Sequence, residues 1–482
     1  MQNIYGLLLS IIYIFTILGI ATLVANYSKG ASETSRKIVH ILVGNWVFIT
    51  PLFTELWAVV LVPFTFIIIN SLSLKYNLIP AMERNDDSLG TVYYAISLFI
   101  LSGFGFLLEW KTLPFIGILT MAYGDGLAAM FGQKWGKKKP YSFAPNKSLV
   151  GSLTVAIISF IVTFIVIMYF KDKENIHGLN LFTIIFISLL TGIFSSFIEL
   201  TGNKGCDNLT LPIGSGLFAT LSLYFNSVGL FIYLFISVTI LVFAYKMRAI
   251  TVDGIVAAIL TAMTLYTLGS PYLGASLLLF FILGSIISKL KNKSKIKAEL
   301  LQEGEGPRNW KQVICNSLPA SILAWLYYIN PETKIYLLLA FGVFSAAAAD
   351  TFSSEIGMMN KGRVYSILSF KPVPNGLSGG VSILGLMAGI LGSFILSLLA
   401  LPQFGYKGLI YMTMLGFLGT LLDSIIGASI QRKYMGINGE LQDRKNHFND
   451  IPSSGYIFIT NNMVNLLTLS ITSIIGHLIL LN

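Results

Sequence analysis

Hydrophobic residues along this chain fall into long runs separated by short polar loops. Apolar and polar residues do not alternate with the period of two that marks a half-buried strand, so the runs predict helices. The apolar runs lie near 3–25, 38–50, 55–74, 89–109, 113–131, 149–169, 179–199, 211–225, 228–245, 251–267, 270–289, 311–329, 333–348, 376–400, 406–427 and 455–478. Several of them are shorter than the ~20 residues of a full span, and two of these, 38–50 and 211–225, are candidates for re-entrant helices. The pattern therefore predicts about 14–16 transmembrane helices.

Composition places these helices in a membrane. The 482 residues are 55% hydrophobic and only 11% charged, whereas soluble domains carry roughly 25% charged residues. Lipid allows only helices or closed barrels to cross. We therefore expect an all-α polytopic integral membrane protein with two membrane domains, 1–225 and 226–482. The first apolar run has no basic stretch before it, so we expect a retained helix rather than a cleaved signal peptide.

The net charge of +10 is distributed as a membrane topology requires, which argues against nucleic acid as a partner. If all sixteen segments cross, the loops on one side, together with Lys311, hold 27 of the 32 Lys and Arg residues. Basic loops stay in the cytoplasm. We therefore predict cytoplasmic basic loops and both termini outside, in the plasma membrane of a bacterium.

Two similar motifs stand out on the predicted cytoplasmic side. In each, an acid ends an apolar segment, a glycine follows seven residues later, and a lysine follows 22 residues later in the first copy and 21 in the second. The residues are Asp125, Gly132 and Lys147 in the first copy, and Asp350, Gly357 and Lys371 in the second. An acid in a membrane segment usually has a partner or a function. We predict that each copy binds a nucleotide and its metal.

Further candidates surround the first motif. Arg36, Lys37 and His40 lie on one helical turn, either as interfacial anchors or as groups that neutralise phosphate oxygens. Asp125 is the candidate Mg²⁺ ligand and Lys147 the candidate phosphate ligand. The other candidates are Gly151 and Ser152 at a helix start, Asp207 and Asn208 as helix caps, or Glu199 and Asp207 as further metal ligands.

The first half resembles the phytol kinase and dolichol kinase family of membrane lipid kinases. The matching pieces are Arg36-Lys37 with His40, Leu89-Gly90-Thr91-Val92-Tyr93, Gly124-Asp125 with Ala128-Ala129 and Gly132, Lys147-Ser148 with Gly151-Ser152, and Asp207-Asn208-Leu209-Thr210 with Pro212. They occur in order over residues 30–225. The resemblance implies phosphorylation of an isoprenoid alcohol with CTP as donor. His40 or an acid near it then accepts the alcohol proton.

The second half, 228–480, resembles a different family, the one that includes plant phytyl-phosphate kinase. The matching pieces are Glu305 to Asn316, Ala349-Asp350-Thr351 with Ser354-Glu355 and Gly357, Lys371-Pro372-Val373-Pro374, Gly379-Gly380-Val381-Ser382, Asp423-Ser424 with Gly427-Ala428, and Asn461-Asn462 with Asn465. That family is implied to add a second phosphate to a prenyl monophosphate. Metal candidates are Asp350, Glu355 and Asp423; phosphate candidates are Lys371, Arg308, Asn316, Gly379, Gly380 and Ser382.

Together the two resemblances imply a bifunctional kinase that converts a prenol of the phytol, geranylgeraniol or farnesol type to its phosphate and then its diphosphate. The chain has no G-x-x-x-x-G-K-[ST] loop, which argues against P-loop chemistry. Mg²⁺, CTP, prenol, prenyl phosphate and the bilayer are the expected partners. A lipid cytidylyltransferase, a two-repeat transporter, and a chain with one catalytic and one scaffolding half are the alternatives.

Overall fold

The structure, a computed structural model, consists of two compact helical units, Met1–Asn226 and Ser227–Asn482. It describes residues 1–27, 33–76, 89–174, 176, 178–203, 205–303, 306–436, 439–447 and 450–481. Each of the sixteen apolar runs overlaps a helix. Among the described residues, twelve segments are long and apolar enough to cross a membrane, and the longest, Ile383–Ser429, contains two helices. The chain is therefore a multi-pass, predominantly helical integral membrane protein.

The first unit is built from helices throughout its described part. They are α1 Gln2–Tyr27, α2 Glu33–Gly44, a 3₁₀ segment Asn45–Leu52, α3 Leu56–Tyr76, α4 Gly90–Leu107, α5 Thr112–Leu119, a π-helical turn Thr120–Asp125, α6 Gly126–Trp135, α7 Leu149–Phe170, α8 Leu181–Thr201 and α9 Asp207–Tyr224. Ser148 and Asn180 cap α7 and α8, each by accepting a hydrogen bond from a backbone N–H of the first turn. These caps explain why both helices begin directly after polar loops.

Close packing of α5 on α9 fixes the middle of this unit. Gly117 lies so near α9 that a Cβ there would be 2.4 Å from the carbonyl oxygen of Pro212. Only glycine allows two backbones to approach this closely. The crossing holds the π-helical turn, and the acid that ends it, against the buried side of the unit.

The second unit adds short strands to its helices. Its helices are α10 Val228–Lys246, α11 Val252–Thr264 with a π-helical turn Leu265–Gly269, α12 Pro271–Lys289, α13 Lys293–Glu299, α14 Trp310–Ile329, α15 Lys334–Gly357, α16 Ile383–Ser397, a 3₁₀ turn Leu398–Ala400, α17 Leu401–Ser429 and α18 Asn461–Leu481. Its strands are β1 Val364–Ser366, β2 Pro372–Val373, β3 Gly380–Val381, β4 Tyr434–Met435 and β5 Leu441–Gln442. The strands lie in two polar loops, which the hydrophobic pattern did not predict to be ordered.

Helix α15 is the centre of the second unit, since it packs against α12, α14, α16, α17 and α18. Its run Ala346–Ala349 is almost fully buried. Small side chains let several helices approach one axis closely. Directly after α15, the loop forms a three-stranded antiparallel sheet in the order β2-β1-β3, with Val364 opposite Val373 and Tyr365 opposite Val381. The sheet brings the glycine-rich segment back to the end of α15.

Candidate active site

Asp125 is the last residue of the π-helical turn inside the span Thr112–Trp135. Only 7% of its surface is exposed. Lys37 Nζ donates a hydrogen bond of 2.7 Å to Asp125 Oδ2, and His40 Nε2 lies 3.6 Å from the same oxygen. A buried carboxylate needs such compensation. Single π-helical turns are frequent at functional sites, and this one directs a charged group into the interior.

Helix α2 supplies both partners of Asp125. Lys37 and His40 are three residues apart on α2 and therefore share a face. The His40 ring packs against Tyr94 with 4.6 Å between ring centroids, and the Tyr94 hydroxyl donates to the His40 carbonyl oxygen at 2.9 Å. These contacts fix the imidazole beside the acid. Arg36 is on the same helix, but its side chain lies outside the described part of the structure.

A second charged cluster forms around Lys147. Its ammonium donates to Glu199 Oε1 and lies 3.6 Å from Asp207 Oδ2. Burial alone would lower the pKa of Lys147, but the two carboxylates outweigh burial and raise its pKa. The ammonium therefore stays charged. Oxygen Oε2 of Glu199 is buried and has no hydrogen-bond partner among the described residues, so it is available to a cation.

Helix α9 contributes two neighbours of this cluster. Cys206 is the N-cap of α9, which makes the predicted capping role of Asp207 and Asn208 wrong. Asp207 lies in the first turn, and Asn208 Nδ2 donates to the carbonyl oxygen of Gly90 at 2.9 Å. Asp207 Oδ1 accepts from the backbone N–H of Asn208 at 3.2 Å, while its Oδ2 faces Lys147. The Asn208 side chain ties α9 to the start of α4.

A cavity in the first unit joins charged and apolar surfaces. The charged end is formed by Lys37, His40, Asp125, Asp207 and Asn208. The rest of the lining is mainly apolar and comes from α1, α2, α3, α4 and the 3₁₀ segment after α2, including Ile14, Ile17, Val43, Trp46, Val62, Phe66, Ala95 and Leu98. Ligand sites typically combine apolar walls with a few converging polar groups. This cavity suits a molecule with one polar end and a hydrocarbon tail.

Gly151 and Ser152 lie in the first turn of α7, where both form hydrogen bonds with the capping residue Ser148. Gly151 N donates to Ser148 Oγ at 3.1 Å, and Ser152 Oγ donates to the Ser148 carbonyl oxygen at 3.2 Å. Both residues are buried. Their direct contact with phosphate stays a prediction, whereas their packing role is evident.

The two motifs share a structural feature that the lysine spacing misses. In the first unit, a Cβ at Gly132 would lie 3.1 Å from Ser148 Oγ, the cap of α7. In the second, a Cβ at Gly357 would lie 3.7 Å from Ser382 Oγ, the cap of α16. Each cap accepts from a glycine N–H three residues later. Matching the caps aligns Lys147 with Val381 rather than with Lys371.

Asp350 and Asp423 meet in the second unit, on α15 and α17. The Asp423 carboxyl is within hydrogen-bonding reach of the Asp350 carboxyl. Thr468 Oγ1 of α18 donates to Asp423 Oδ1 at 3.2 Å. Two carboxylates this close repel each other, so the pair either shares a proton or binds a cation. The pair is therefore a candidate cation site, assembled from residues 73 positions apart in the sequence.

Glu355, the third predicted metal ligand of the second unit, is engaged elsewhere. Lys295 Nζ pairs with Glu355 Oε2 at 2.6 Å, and Ser288 Oγ donates to Glu355 Oε1 at 2.7 Å. Lys295 is completely buried and also donates to the carbonyl oxygens of Ile287 and Ser288. Sequence reasoning missed Lys295 because it is one of several lysines in a basic loop. The Asn292 cap, which starts α13 three residues earlier, was the available signal.

The predicted phosphate ligands of the second unit are spread over several places. Lys371 is exposed in the loop between β1 and β2 and forms no ion pair with a described residue. Arg308 lies over the rings of Phe280 and Phe281, and the Asn316 amide oxygen accepts from Asn465 Nδ2 at 3.1 Å. Arg308 and Asn316 line a small groove whose remaining residues are mostly apolar.

The glycine-rich segment before α16 forms a tight turn against the end of α17. Gly379 has φ +86°, and a Cβ there would lie 2.4 Å from Ala428 Cβ. Gly380 belongs to β3, and Ser382 caps α16. Ala428 is five residues beyond Asp423 on α17. The predicted Gly/Ser cluster is therefore brought to the same end of α17 as the Asp350–Asp423 pair.

Asp443 holds this turn and was not predicted. Ser378 N donates to Asp443 Oδ2 at 3.1 Å, and Asp443 N donates to the Leu301 carbonyl oxygen at 2.9 Å. Burial raises the pKa of the Asp443 carboxyl, while the Ser378 hydrogen bonds act against that rise. The hydrophilic loop after α17 therefore has a structural purpose that its composition alone does not reveal.

Each candidate cation site of the described residues has two carboxylates rather than three. In the part of the chain that the structure describes, no group of three or more His, Cys, Asp or Glu side chains is arranged to hold a metal. Glu199 with its unpartnered Oε2 and nearby Asp207 form one pair, and Asp350 with Asp423 forms the other. Carboxylate oxygens are what Mg²⁺ prefers, with water and phosphate filling the remaining positions. Both pairs are compatible with Mg²⁺.

Replacing Lys295 by methionine should destabilise the second unit. The change leaves the largely buried Glu355 carboxylate, whose side chain is 16% exposed, without its ammonium partner, which costs about 3 kcal/mol in the free energy of unfolding. Thermal unfolding of the purified protein in detergent measures this loss. Lys293→Met, at an exposed lysine of the same helix, is the matched control. Equal unfolding temperatures for both variants would contradict the assigned ion pair.

Comparison with known proteins relates the chain to a family of membrane proteins. Residues 235–473 match the family described as integral membrane protein DUF92. A phytol kinase of Synechocystis sp. is 34% identical over 209 residues, which are 43% of this chain and 87% of the relative. Phytol kinase 1, chloroplastic, of Arabidopsis thaliana is 30% identical over 39% of this chain and 66% of its own length.

A third relative has no activity in its name. Protein PGR of Arabidopsis thaliana is 28% identical over 264 residues, or 48% of this chain and 88% of the relative. No solved structure matches the chain. The phytol kinase of Synechocystis is covered over most of its length at 34% identity. The chain therefore belongs to the family of membrane proteins that includes this phytol kinase, and its residues 235–473 match the DUF92 family.

Proposed function

We propose that this chain is a membrane kinase that phosphorylates an isoprenoid alcohol in the first unit and the resulting prenyl phosphate in the second. The phytol kinases among its homologues support the first activity. The observation that carries the proposal is the cavity of the first unit, where apolar walls lead to Lys37, His40 and Asp125. A prenol has the matching shape, with a hydrocarbon tail and one hydroxyl.

The alcohol hydroxyl is placed at the charged end of this cavity. Asp125 accepts the hydroxyl proton as phosphoryl transfer proceeds, because its carboxylate lines the cavity and is held in place by Lys37. His40, 3.6 Å from Asp125 Oδ2, gives this carboxylate a second positioning partner. The apolar walls exclude water, so transfer to the alcohol is favoured over hydrolysis of the nucleotide.

The nucleotide phosphates are placed beside Lys147. Its raised pKa keeps the ammonium charged, so it neutralises phosphate oxygens as a point charge. Glu199 and Asp207 are the residues that would hold Mg²⁺, which neutralises charge on the transferred group when bound. CTP is the donor implied by the resemblance to phytol and dolichol kinases. In this proposal the side with the basic loops faces the cytoplasm, as the distribution of Lys and Arg favours.

The second unit takes the prenyl phosphate. Asn465 and Thr468 lie three residues apart on α18 and so share a face. Asn465 contacts Asn316 of the apolar groove, and Thr468 contacts Asp423. The groove that Arg308 and Asn316 line is therefore linked to the acid pair through this face of α18. Arg308 binds the substrate phosphate in this proposal, and Asp350 with Asp423 binds Mg²⁺.

Labelled nucleotides test the reaction class directly. The purified chain is incubated with a prenol, Mg²⁺ and CTP labelled at either the α- or the γ-phosphate, and the lipid products are separated by chromatography. We expect γ-label in a prenyl monophosphate and then in a diphosphate, and no α-label in lipid. Transfer of α-label would overturn the kinase proposal in favour of a cytidylyltransferase. ATP in place of CTP tests the donor.

Lys147→Met should impair nucleotide use in the first reaction. Loss of the ammonium removes charge from the phosphate side and leaves Glu199 and Asp207 unpaired, so kcat/KM for CTP should fall by about a hundredfold or more. The KM for prenol should change little, since Lys147 does not line the cavity. Lys139→Met, at an exposed lysine of the same loop, is the control. A rise in prenol KM alone would contradict the assignment.

A further inference from the structure

The depth of the cavity in the first unit follows from its lining residues on two helices. It follows α4 from Gly90 to Leu98 and α3 from Leu74 to Val62. At 1.5 Å per residue these stretches correspond to about 12 and about 18 Å. An extended isoprene unit adds four carbon–carbon bonds, or about 5 Å of chain. The cavity therefore has room for about two to four isoprene units beyond the charged end.

Trp46 lines this cavity at a distance from the charged groups. It lines the cavity nine residues beyond Lys37, or about 13 Å along the helix axis. The indole is 2% exposed, so it is buried on its other sides. Ile14 of α1, Val62 of α3 and Leu98 of α4 each end the stretch of their helix that lines the cavity. The position of Trp46 makes it the largest side chain opposite the charged groups.

A hydrogen bond and a ring contact hold the indole of Trp46 in place. Trp46 Nε1 donates to Ser10 Oγ at 2.9 Å, and Ser10 Oγ donates to the Gly6 carbonyl oxygen at 2.8 Å. The Phe53 ring packs 6.3 Å from the Trp46 ring, centroid to centroid. A buried indole usually has such a hydrogen bond. Because Ser10 belongs to α1, the bond also fixes α1 against the end of the cavity.

We infer that Trp46 sets the maximum prenol length that the first unit phosphorylates efficiently. This inference rests on the proposed kinase function, and it adds that the cavity admits a hydrocarbon tail of about two to four isoprene units. A longer tail meets the indole before its hydroxyl reaches Asp125. Discrimination arises because the hydroxyl must be within reach of the charged end for transfer, so a tail that does not fit lowers the rate.

Two opposite substitutions test this inference on the purified full chain. Trp46→Ala should lengthen the cavity and raise kcat/KM for a prenol of five or more isoprene units relative to farnesol by about tenfold. Val62→Phe should shorten it and lower kcat/KM for geranylgeraniol relative to geraniol by about the same factor. Val62 is only partly buried, which makes the larger side chain tolerable for folding.

Matched controls separate cavity length from stability and from function. Trp46→Phe keeps most of the wall and should keep the wild-type length profile. Trp57→Ala removes an exposed indole of α3 and should also leave the profile unchanged. If the wild type phosphorylates prenols but Trp46→Ala and Val62→Phe both keep its profile, the inference on Trp46 is wrong. If the wild type phosphorylates no prenol of any length, the proposed function itself fails.

Discussion

Asp125→Asn should abolish phosphorylation of the prenol and spare phosphorylation of added prenyl phosphate. The amide cannot accept the hydroxyl proton, and it no longer compensates Lys37, whose ammonium is 2.7 Å from Asp125 Oδ2 in the native site. Loss of a general base and of its electrostatic field together should lower kcat/KM for prenol by about a thousandfold or more. Steady-state assays with each lipid substrate, run separately, measure both effects.

The control for this experiment is Asp172→Asn, at an exposed acid of the loop between α7 and α8. It removes the same charge without touching the cavity, so prenol phosphorylation should remain at the wild-type level. Thermal unfolding verifies that Asp125→Asn still folds. Full prenol activity in a folded Asp125→Asn protein would rule out Asp125 as the proton acceptor. Equal loss of both activities would count against two separate sites.

Asp350→Asn and Asp423→Asn should show the reverse pattern, with prenyl phosphate accumulating because the second transfer fails. Each substitution breaks the carboxyl pair that α15 and α17 bring together. With one carboxylate gone the pair no longer suits a divalent cation, and activity toward prenyl phosphate should fall by about a hundredfold or more. Chromatography of labelled products during a time course measures the accumulated monophosphate.

Glu332→Gln, at an exposed acid of the second unit, serves as the control for this pair and should leave the diphosphate yield unchanged. The single and double variants distinguish one shared site from two independent roles. When two residues act as a unit, the double variant has little less activity than either single variant. Additive losses in the double variant, or unchanged diphosphate formation in either single variant, would rule out a common cation site.

Membrane insertion could be predicted from the sequence because it depends on local composition. A run of apolar residues such as 149–169 needs no distant partner to be identified as a helix, since lipid forces the backbone to satisfy its own hydrogen bonds. The helix starts were also local, as Ser148 before α7 shows. The short strands after α15 were not predictable in this way, because residues of β1 pair with residues 7 to 16 positions later.

The partners of the charged residues could not be derived from spacing. Lys371 was predicted as the counterpart of Lys147 from an interval of 21 residues, yet it is exposed, whereas the buried Lys295 reaches Glu355. Lys295 and Glu355 are 60 residues apart in the sequence. Only the packing of α12, α13 and α15 brings them together. The same holds for Asp443, whose link to Ser378 crosses 65 residues.

Asp125 and Asp350 illustrate what the sequence determines and what the tertiary structure determines. By itself the sequence determined a helical membrane protein and marked both acids as unusual, because a charge in an apolar run is evident from neighbouring residues. Only the tertiary structure decided that Asp125 faces Lys37 and His40 beside an apolar cavity, while Asp350 faces Asp423. The reason is physical: hydrophobicity acts on each segment independently, whereas a pair of side chains is defined by the packing of distant helices.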